Sequence, residues 1–162
     1  MAGGKTRLAD DFRDLLRAFV AHDVRFLVVG AYALAVLGRP RATGDLDVWI
    51  DPTPANAKRT FAALRDFGAP LHELRHEDLA QRGVVFQIGL PPLRIDVLTA
   101  IDGVDFPAAW RRRLTADFDG VPVGVIGRDD FLTNKRATGR LKDRADAERL
   151  EPRPRSRARR RR

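Results

Sequence analysis

Cysteine is absent from the 162 residues. That excludes disulfides, zinc knuckles, iron–sulfur clusters and cysteine nucleophiles in one step. It also removes any argument for an oxidising compartment. Long apolar runs are missing too. The longest stretch without a charge, Phe26 to Gly38, has 13 residues, and a membrane span needs roughly 18 or more. The opening residues, Met1 to Asp11, hold no apolar segment of the signal-peptide kind. The expectation is a cytoplasmic protein with no membrane partner.

What is present suits a folded domain. Apolar residues make up 44% of the chain, close to the globular average and enough for a core, which excludes a wholly disordered chain. The net charge of +8 suggests nucleic acid until it is divided. Residues 151–162 carry seven Arg and one Glu, or +6, so residues 1–150 carry only 8 − 6 = +2. The expected organisation is one domain over 1–150 and a disordered Arg-rich tail over 151–162. The tail could make non-specific contacts with nucleic-acid phosphates. It has no interleaved aromatics, so no base-stacking platform is implied.

Leu8, Phe12, Leu15, Leu16, Phe19 and Val20 recur at helical spacing, which predicts an amphipathic helix over 7–21. Residues 25–29 and 45–50 read as short strands flanking an Ala/Leu-rich helix over 31–37. Thr53-Pro54 is a helix N-cap followed by proline at the first helical position, and that helix runs to about Phe67. Two apolar, β-branched runs at 84–89 and 93–99 predict a hairpin. A short helix around Trp110 follows. Asp119-Gly120 between 114–118 and 121–126 is a type I′ turn signal for a second hairpin. Helices are expected over 129–138 and from Asp143 to about Leu150. Without strict βα alternation, this order predicts an α/β (α+β) mixed sheet with flanking helices, not a doubly wound parallel one.

Asp45 and Asp47 stand two apart on an expected strand, so both side chains point to one face. Two hard oxygen ligands on a rigid strand suit magnesium, or manganese, with water and phosphate oxygens completing the shell. The pattern alone is weak. With 18 Asp in 162 residues chance supplies about two Asp-x-Asp pairs, and there are two, the other being Asp117/Asp119 beside a turn. Context separates them. Asp45 follows a strand that ends at Gly30 and opens a helix, a setting whose backbone N–H groups can hold phosphate. Asp96 adds a third carboxylate inside the apolar run Leu93 to Leu98, where an unpaired carboxylate is costly. Arg41 and Thr43, just before the acids, are candidate phosphate contacts, Arg41 for its planar donor fork. Their plain alternative is a satisfied loop. Lys135 is a candidate phosphate contact from a late helix, or else a solvated lysine or an ion pair with Asp129 or Asp130. Lys142, Asp143 and Asp146 read as a helix start with its ion pairs. His22, His72 and His76 have no metal-ligand spacing and read as surface or structural. Gly3-Gly4-Lys5-Thr6 mimics the end of a phosphate-binding Walker loop but lacks room for its preceding strand.

The segment Gly-Ala-x-Ala-Leu-x(3)-Gly-x-x-Arg-x-Thr-x-Asp-Leu-Asp, from Gly30 to Asp47, resembles the active-site segment of the DNA polymerase beta-like nucleotidyltransferase superfamily. More narrowly, it resembles small bacterial nucleotidyltransferase-like proteins related to abortive-infection (AbiEii-type) toxins. Lys135 to Asp146, with Gly139-Arg140-x-Lys142-Asp143, resembles their C-terminal signature. The resemblance covers roughly residues 8–150 and leaves out the tail.

It implies a nucleotidyltransferase-like fold and transfer of a nucleoside monophosphate from a nucleoside triphosphate, ATP among the candidates, to a hydroxyl. Gly30-Ala31 would contact the triphosphate. Asp45 and Asp47 would bind two metals, and Asp96 would bind one and help deprotonate the acceptor. Two magnesium ions can clamp the attacking and leaving oxygens of an in-line displacement. Three clustered carboxylates would repel one another without cations. No large acceptor-binding domain is evident in about 150 residues, so the acceptor is expected to be tRNA or a partner protein, as in toxin–antitoxin pairs. Ala31 stands where larger families carry serine, and the Gly30-to-Asp45 gap is longer than in polymerase-like members. The alternative is therefore a catalytically degenerate module that binds nucleotide, a partner toxin or RNA. A modifier of an antibiotic hydroxyl is a third option.

Overall fold

The computed structural model describes residues 8–40 and 43–151. Arg41, the Gly3–Thr6 segment and the Arg-rich tail from Pro152 onward lie outside the described residues. The chain forms α1 (Asp10–Ala21), β1 (Phe26–Val29), α2 (Gly30–Val36), β2 (Asp45–Ile50), α3 (Pro54–Phe67), a 3₁₀ turn at Asp78–Ala80, β3 (Val85–Ile88), β4 (Arg94–Leu98), α4 (Phe106–Arg111), β5 (Leu114–Phe118), β6 (Val121–Val125), α5 (Arg128–Thr138) and α6 (Leu141–Leu150). The strands make one six-stranded sheet in the order β3-β4-β2-β1-β6-β5. β1–β2, β3–β4 and β5–β6 pair antiparallel, and β2–β4 and β1–β6 pair parallel. The mixed sheet expected from the sequence is the one found.

Local chemistry explains the punctuation. Thr53 caps α3, its hydroxyl accepting from Asn56 N–H at 3.3 Å, with Pro54 opening the helix. Asp119 and Gly120 both take positive φ, 55° and 88°, as a type I′ hairpin turn requires. Asp117 Oδ1 accepts from Gly120 N–H at 2.7 Å, and Asp119 pairs with Arg13 at 3.3 Å. The second Asp-x-Asp pair is thus a turn device. α6 begins at Leu141, two residues earlier than expected, because Asp143 does not cap it but turns inward and is buried.

Alternation along β2 and β4 divides the sheet into two faces. Phe26, Val28, Leu46, Val48, Ile50, Ile95 and Val97 fill one face, under α1 and α3, with Phe19 and Phe26 in edge contact at 5.2 Å. Buried Asn56 ties α3 to the ends of two strands. Its Nδ2 donates to Arg25 O at 3.0 Å and Asp51 O at 2.8 Å, and its Oδ1 accepts from Arg25 N–H at 2.8 Å. The other face carries Asp45, Asp47 and Trp49 on β2 and Arg94, Asp96 and Leu98 on β4. Trp49 is buried against Phe106 of α4, ring centroids 5.0 Å apart. Helices therefore cover the Trp49 end of this face, and the acids lie beyond it. Among the described residues no helix is long and apolar enough to cross a membrane.

Candidate active site

The parallel β2–β4 register sets Asp47 directly opposite Asp96 and Asp45 opposite Arg94. Neighbouring strands run about 4.8 Å apart, so the three carboxylates share one patch. β1 brings a fourth element. Val29 pairs with Asp47, and the chain leaves β1 into α2 at Gly30, whose φ of +68° is open to glycine. A Cβ at Gly30 would lie 2.3 Å from Asp47 Oδ2, so the glycine is what lets the strand-to-helix turn pass over the carboxylate. Ala31 is buried behind it.

The patch is electrostatically strained. Burial, then the charges of Asp96 and Asp45, push Asp47 up to about 6, with Lys135 opposing them. Arg94 supplies a resident cation. Its Nη2 donates to Asp96 Oδ2 at 3.2 Å and reaches Asp45 Oδ2 at 3.4 Å. Its Nε lies 3.1 Å from Asp96 Oδ1 without hydrogen-bond alignment, so that buried oxygen has no hydrogen-bond partner.

The donor chemistry suits a hard divalent cation: three carboxylates on rigid strands, one with an orphaned buried oxygen. As the side chains stand, no three His, Cys, Asp or Glu among the described residues are placed to hold a metal ion together. Arg94 takes up part of the carboxylates' capacity.

A cavity of about 200 Å³ is lined by Gly30 and Asp47 and by Asn134, Lys135, Thr138 and Arg140. Lys135 thus shares a cavity with Asp47; Asp45 and Asp96 do not line it. Its ammonium is buried and pairs with Asp143 Oδ1 at 3.0 Å and Asp146 Oδ2 at 3.7 Å. The expected partners Asp129 and Asp130 do not hold it. Asp130 is taken by the Arg112 fork at 2.8 and 3.0 Å, and Asp129 is exposed beside Arg128. Asp143 lies in the first turn of α6 and both acids are ion-paired, as expected of a helix start, but they are buried and their shared partner is Lys135 of α5. Thr43 Oγ1 accepts from Asp45 N–H at 3.1 Å, which steadies the loop entering β2. His22 pairs with Asp66 and His76 with Glu77, away from the acids.

Sequence reasoning missed Arg94 and Arg140. Arg94 was legible: it is two residues before Asp96 on one strand, hence on the same face. Arg140 stands in the Gly139-Arg140-x-Lys142-Asp143 resemblance, but only the meeting of α5 and α6 turns it to the cavity.

No protein-family model and no curated protein matches the chain. Solved structures do. The chain resembles the lincosamide antibiotic adenylyltransferase LnuA, solved with lincomycin bound, at a TM-score of 0.56 and 13% identity, over 90% of this chain and 97% of that one. It resembles a candidate nucleotidyltransferase from Thermotoga maritima at a TM-score of 0.56 and 14% identity, over 86% and 87% of the two chains. The chain therefore has the nucleotidyltransferase-like α/β fold, as one domain, and its structural neighbours are nucleotidyltransferases.

Proposed function

We propose that this protein is a divalent-metal-dependent nucleotidyltransferase that moves a nucleoside monophosphate from a nucleoside triphosphate to an acceptor hydroxyl. The observation that carries the reading is the meeting of Asp45, Asp47 and Asp96 on one sheet face beside the bare turn at Gly30. Asp45, Asp47 and Asp96 hold magnesium or manganese, which neutralises charge on the triphosphate and on the leaving pyrophosphate. Asp96, with its unsatisfied oxygen, accepts the acceptor's hydroxyl proton. The freed oxygen attacks the α-phosphorus, the α–β phosphoanhydride bond breaks, and pyrophosphate leaves. The backbone at Gly30-Ala31 and the Lys135 ammonium contact phosphate. Thr43, whose hydroxyl keeps its own proton to donate, belongs to the loop entering β2, and Arg41 is proposed as a further phosphate contact on the strength of its planar donor fork alone.

For the acceptor we infer a macromolecule, tRNA or a partner protein, as in a toxin–antitoxin or phage-defence pair of the abortive-infection kind that the sequence resembles. A small acceptor is the second reading. It is favoured by one finding: the chain matches 97% of a lincosamide adenylyltransferase, so a protein of this extent acts on an antibiotic.

The test is incubation with each labelled nucleoside triphosphate and magnesium or manganese, against total tRNA, cell extract, lincosamides and the protein alone. Label lost in the Asp45→Asn/Asp47→Asn variant supports the enzyme and identifies base and acceptor class. No label from folded protein in any arm rejects transfer in favour of the non-catalytic binding module.

A further inference from the structure

The cavity beside Asp47 is small. At about 200 Å³ it lies below the roughly 300 Å³ at which small-molecule pockets usually begin, so it houses part of a ligand. Its wall opposite Asp47 says which part. Lys135, Thr138 and Arg140 line it there, with Asp102 and Asn134 beside them, and Asn134 Nδ2 is spent on the Asp102 carbonyl at 3.0 Å.

One residue organises that wall. Asp143, 2% exposed, accepts from Lys135 Nζ at 3.0 Å, from Thr138 Oγ1 at 2.7 Å and from Arg140 Nε at 2.8 Å. Lys135 is already matched by two buried carboxylates, Asp143 and Asp146. Counting Asp47, Asp102, Asp143 and Asp146 against Lys135 and Arg140 leaves two net negative charges; without Arg140 it would be three. Arg140 is the cation with capacity to spare. Its side chain is 75% exposed, it gives only Nε to Asp143, and its two terminal nitrogens have no hydrogen-bond partner among the described residues. A planar fork with free terminal N–H groups suits phosphate oxygens.

We infer that Arg140 is a polyphosphate contact of this cavity and that Asp143 is its positioning residue, holding Arg140 and Lys135 together on the wall facing Asp47. The inference rests on the proposed nucleotidyl transfer, and names the residue that grips the phosphates of its substrate. Asp143 keeps Nε while the terminal nitrogens engage the ligand, so the grip is built before the ligand arrives.

The experiment is calorimetric titration of the full-length protein with inorganic tripolyphosphate and magnesium. Arg140→Met should weaken binding roughly tenfold or more, the size of a charge-assisted contact, with the thermal midpoint unchanged because the side chain is exposed. Arg136→Met removes an equal charge from the neighbouring α5, outside the cavity, and should leave binding unchanged. Asp143→Asn should weaken binding as well, and the Arg140→Met/Asp143→Asn double variant should lose less than the sum, as coupled residues do. Asp143→Asn need not fold for the test to decide, since Arg140→Met alone does so. No tripolyphosphate binding by the wild type, or equal losses in the Arg140 and Arg136 variants, overturns the inference. Arg140-dependent binding without nucleotide transfer would support it and reject the enzymatic reading alone.

Discussion

Asp47 and Asp96 are direct partners across the parallel β2–β4 ladder, so the sheet register sets one carboxylate beside another and raises the cost of ionising Asp47. Burial of Asp47, reinforced by Asp96 and Asp45, raises it to about 6. A carboxylate whose folded pKa lies above its unfolded value costs stability once ionised. The cost grows as pH rises from about 4 through about 6 and stays at its full value above that. Two pH units set an upper bound of about 3 kcal/mol. Thermal unfolding across this range should show wild-type stability falling with pH in metal-free buffer. Asp47→Asn should lack that fall and be the more stable protein above pH 7. Parallel curves for the two proteins would contradict the shift.

A divalent cation should reverse the penalty. Anything that binds only the folded state stabilises it in proportion to its occupancy, and three carboxylates with an orphaned Asp96 oxygen are the donors at hand. Manganese or magnesium should raise the wild-type unfolding temperature, and chelation should lower it again. Asp45→Asn/Asp47→Asn should not respond. An equal rise in both proteins would place the ion elsewhere.

Gly30→Ala should separate folding from chemistry. The substitution forces φ +68° on an alanine and sets a methyl 2.3 Å from Asp47 Oδ2. Left-handed backbone costs an L-residue about 1–2 kcal/mol, and the carboxylate must move as well. Gly120→Ala is the control: φ is +88°, but its Cβ meets nothing within 4 Å. Both should destabilise in urea unfolding, Gly30→Ala by more because of its contact with Asp47, and only Gly30→Ala should lose nucleotide transfer and cation response. If both keep transfer, Gly30 is a structural turn and no more.

The fold was largely legible because its elements are written in local patterns. Thr53-Pro54, Asp119-Gly120 and the alternation in Asp45–Ile50 each act within a few residues. The meeting of Asp45, Asp47 and Asp96 was legible in part. Period-two alternation puts Asp45 and Asp47 on one face, but only the β2–β4 register brings Asp96 opposite Asp47. The Lys135 environment was not legible. Asp129 and Asp130 are nearer in sequence, yet Asp130 is captured by Arg112 from the α4 end, and the packing of α6 against α5 delivers Asp143 and Asp146 instead. Such pairings depend on which helix faces turn inward, and α5 and α6 are charged on several faces, so their apolar pattern does not fix that choice.

That buried cluster yields the sharpest separation of structure from function. Lys135 is 8% exposed and faces Asp143 and Asp146, each 2% exposed. Removing one partner of a buried pair typically costs about 3–5 kcal/mol, because the other charge is left behind. Lys135→Met should therefore lower stability strongly in urea unfolding, losing as well the ammonium's position over the Phe131 ring, 5.4 Å from its centroid. Burial opposes ionisation of Asp143, but hydrogen bonds from Thr138 and Lys135 and the charges of Lys135 and Arg140 outweigh it and hold its pKa below the usual carboxylate value. A carboxylate lowered in this way stabilises the fold above its unfolded pKa, near 4, and the contribution is lost as pH falls through the folded value. Acid unfolding of the wild type should accordingly be steeper than that of Asp143→Asn. Lys135→Met/Asp143→Asn, which deletes one charge of each sign, should regain part of the stability lost by Lys135→Met. It should regain none of the nucleotide transfer, because the ammonium facing the cavity is still missing. A double variant that recovers both would make Lys135 a structural lysine; one that recovers stability alone leaves it as the phosphate contact of the α5 wall.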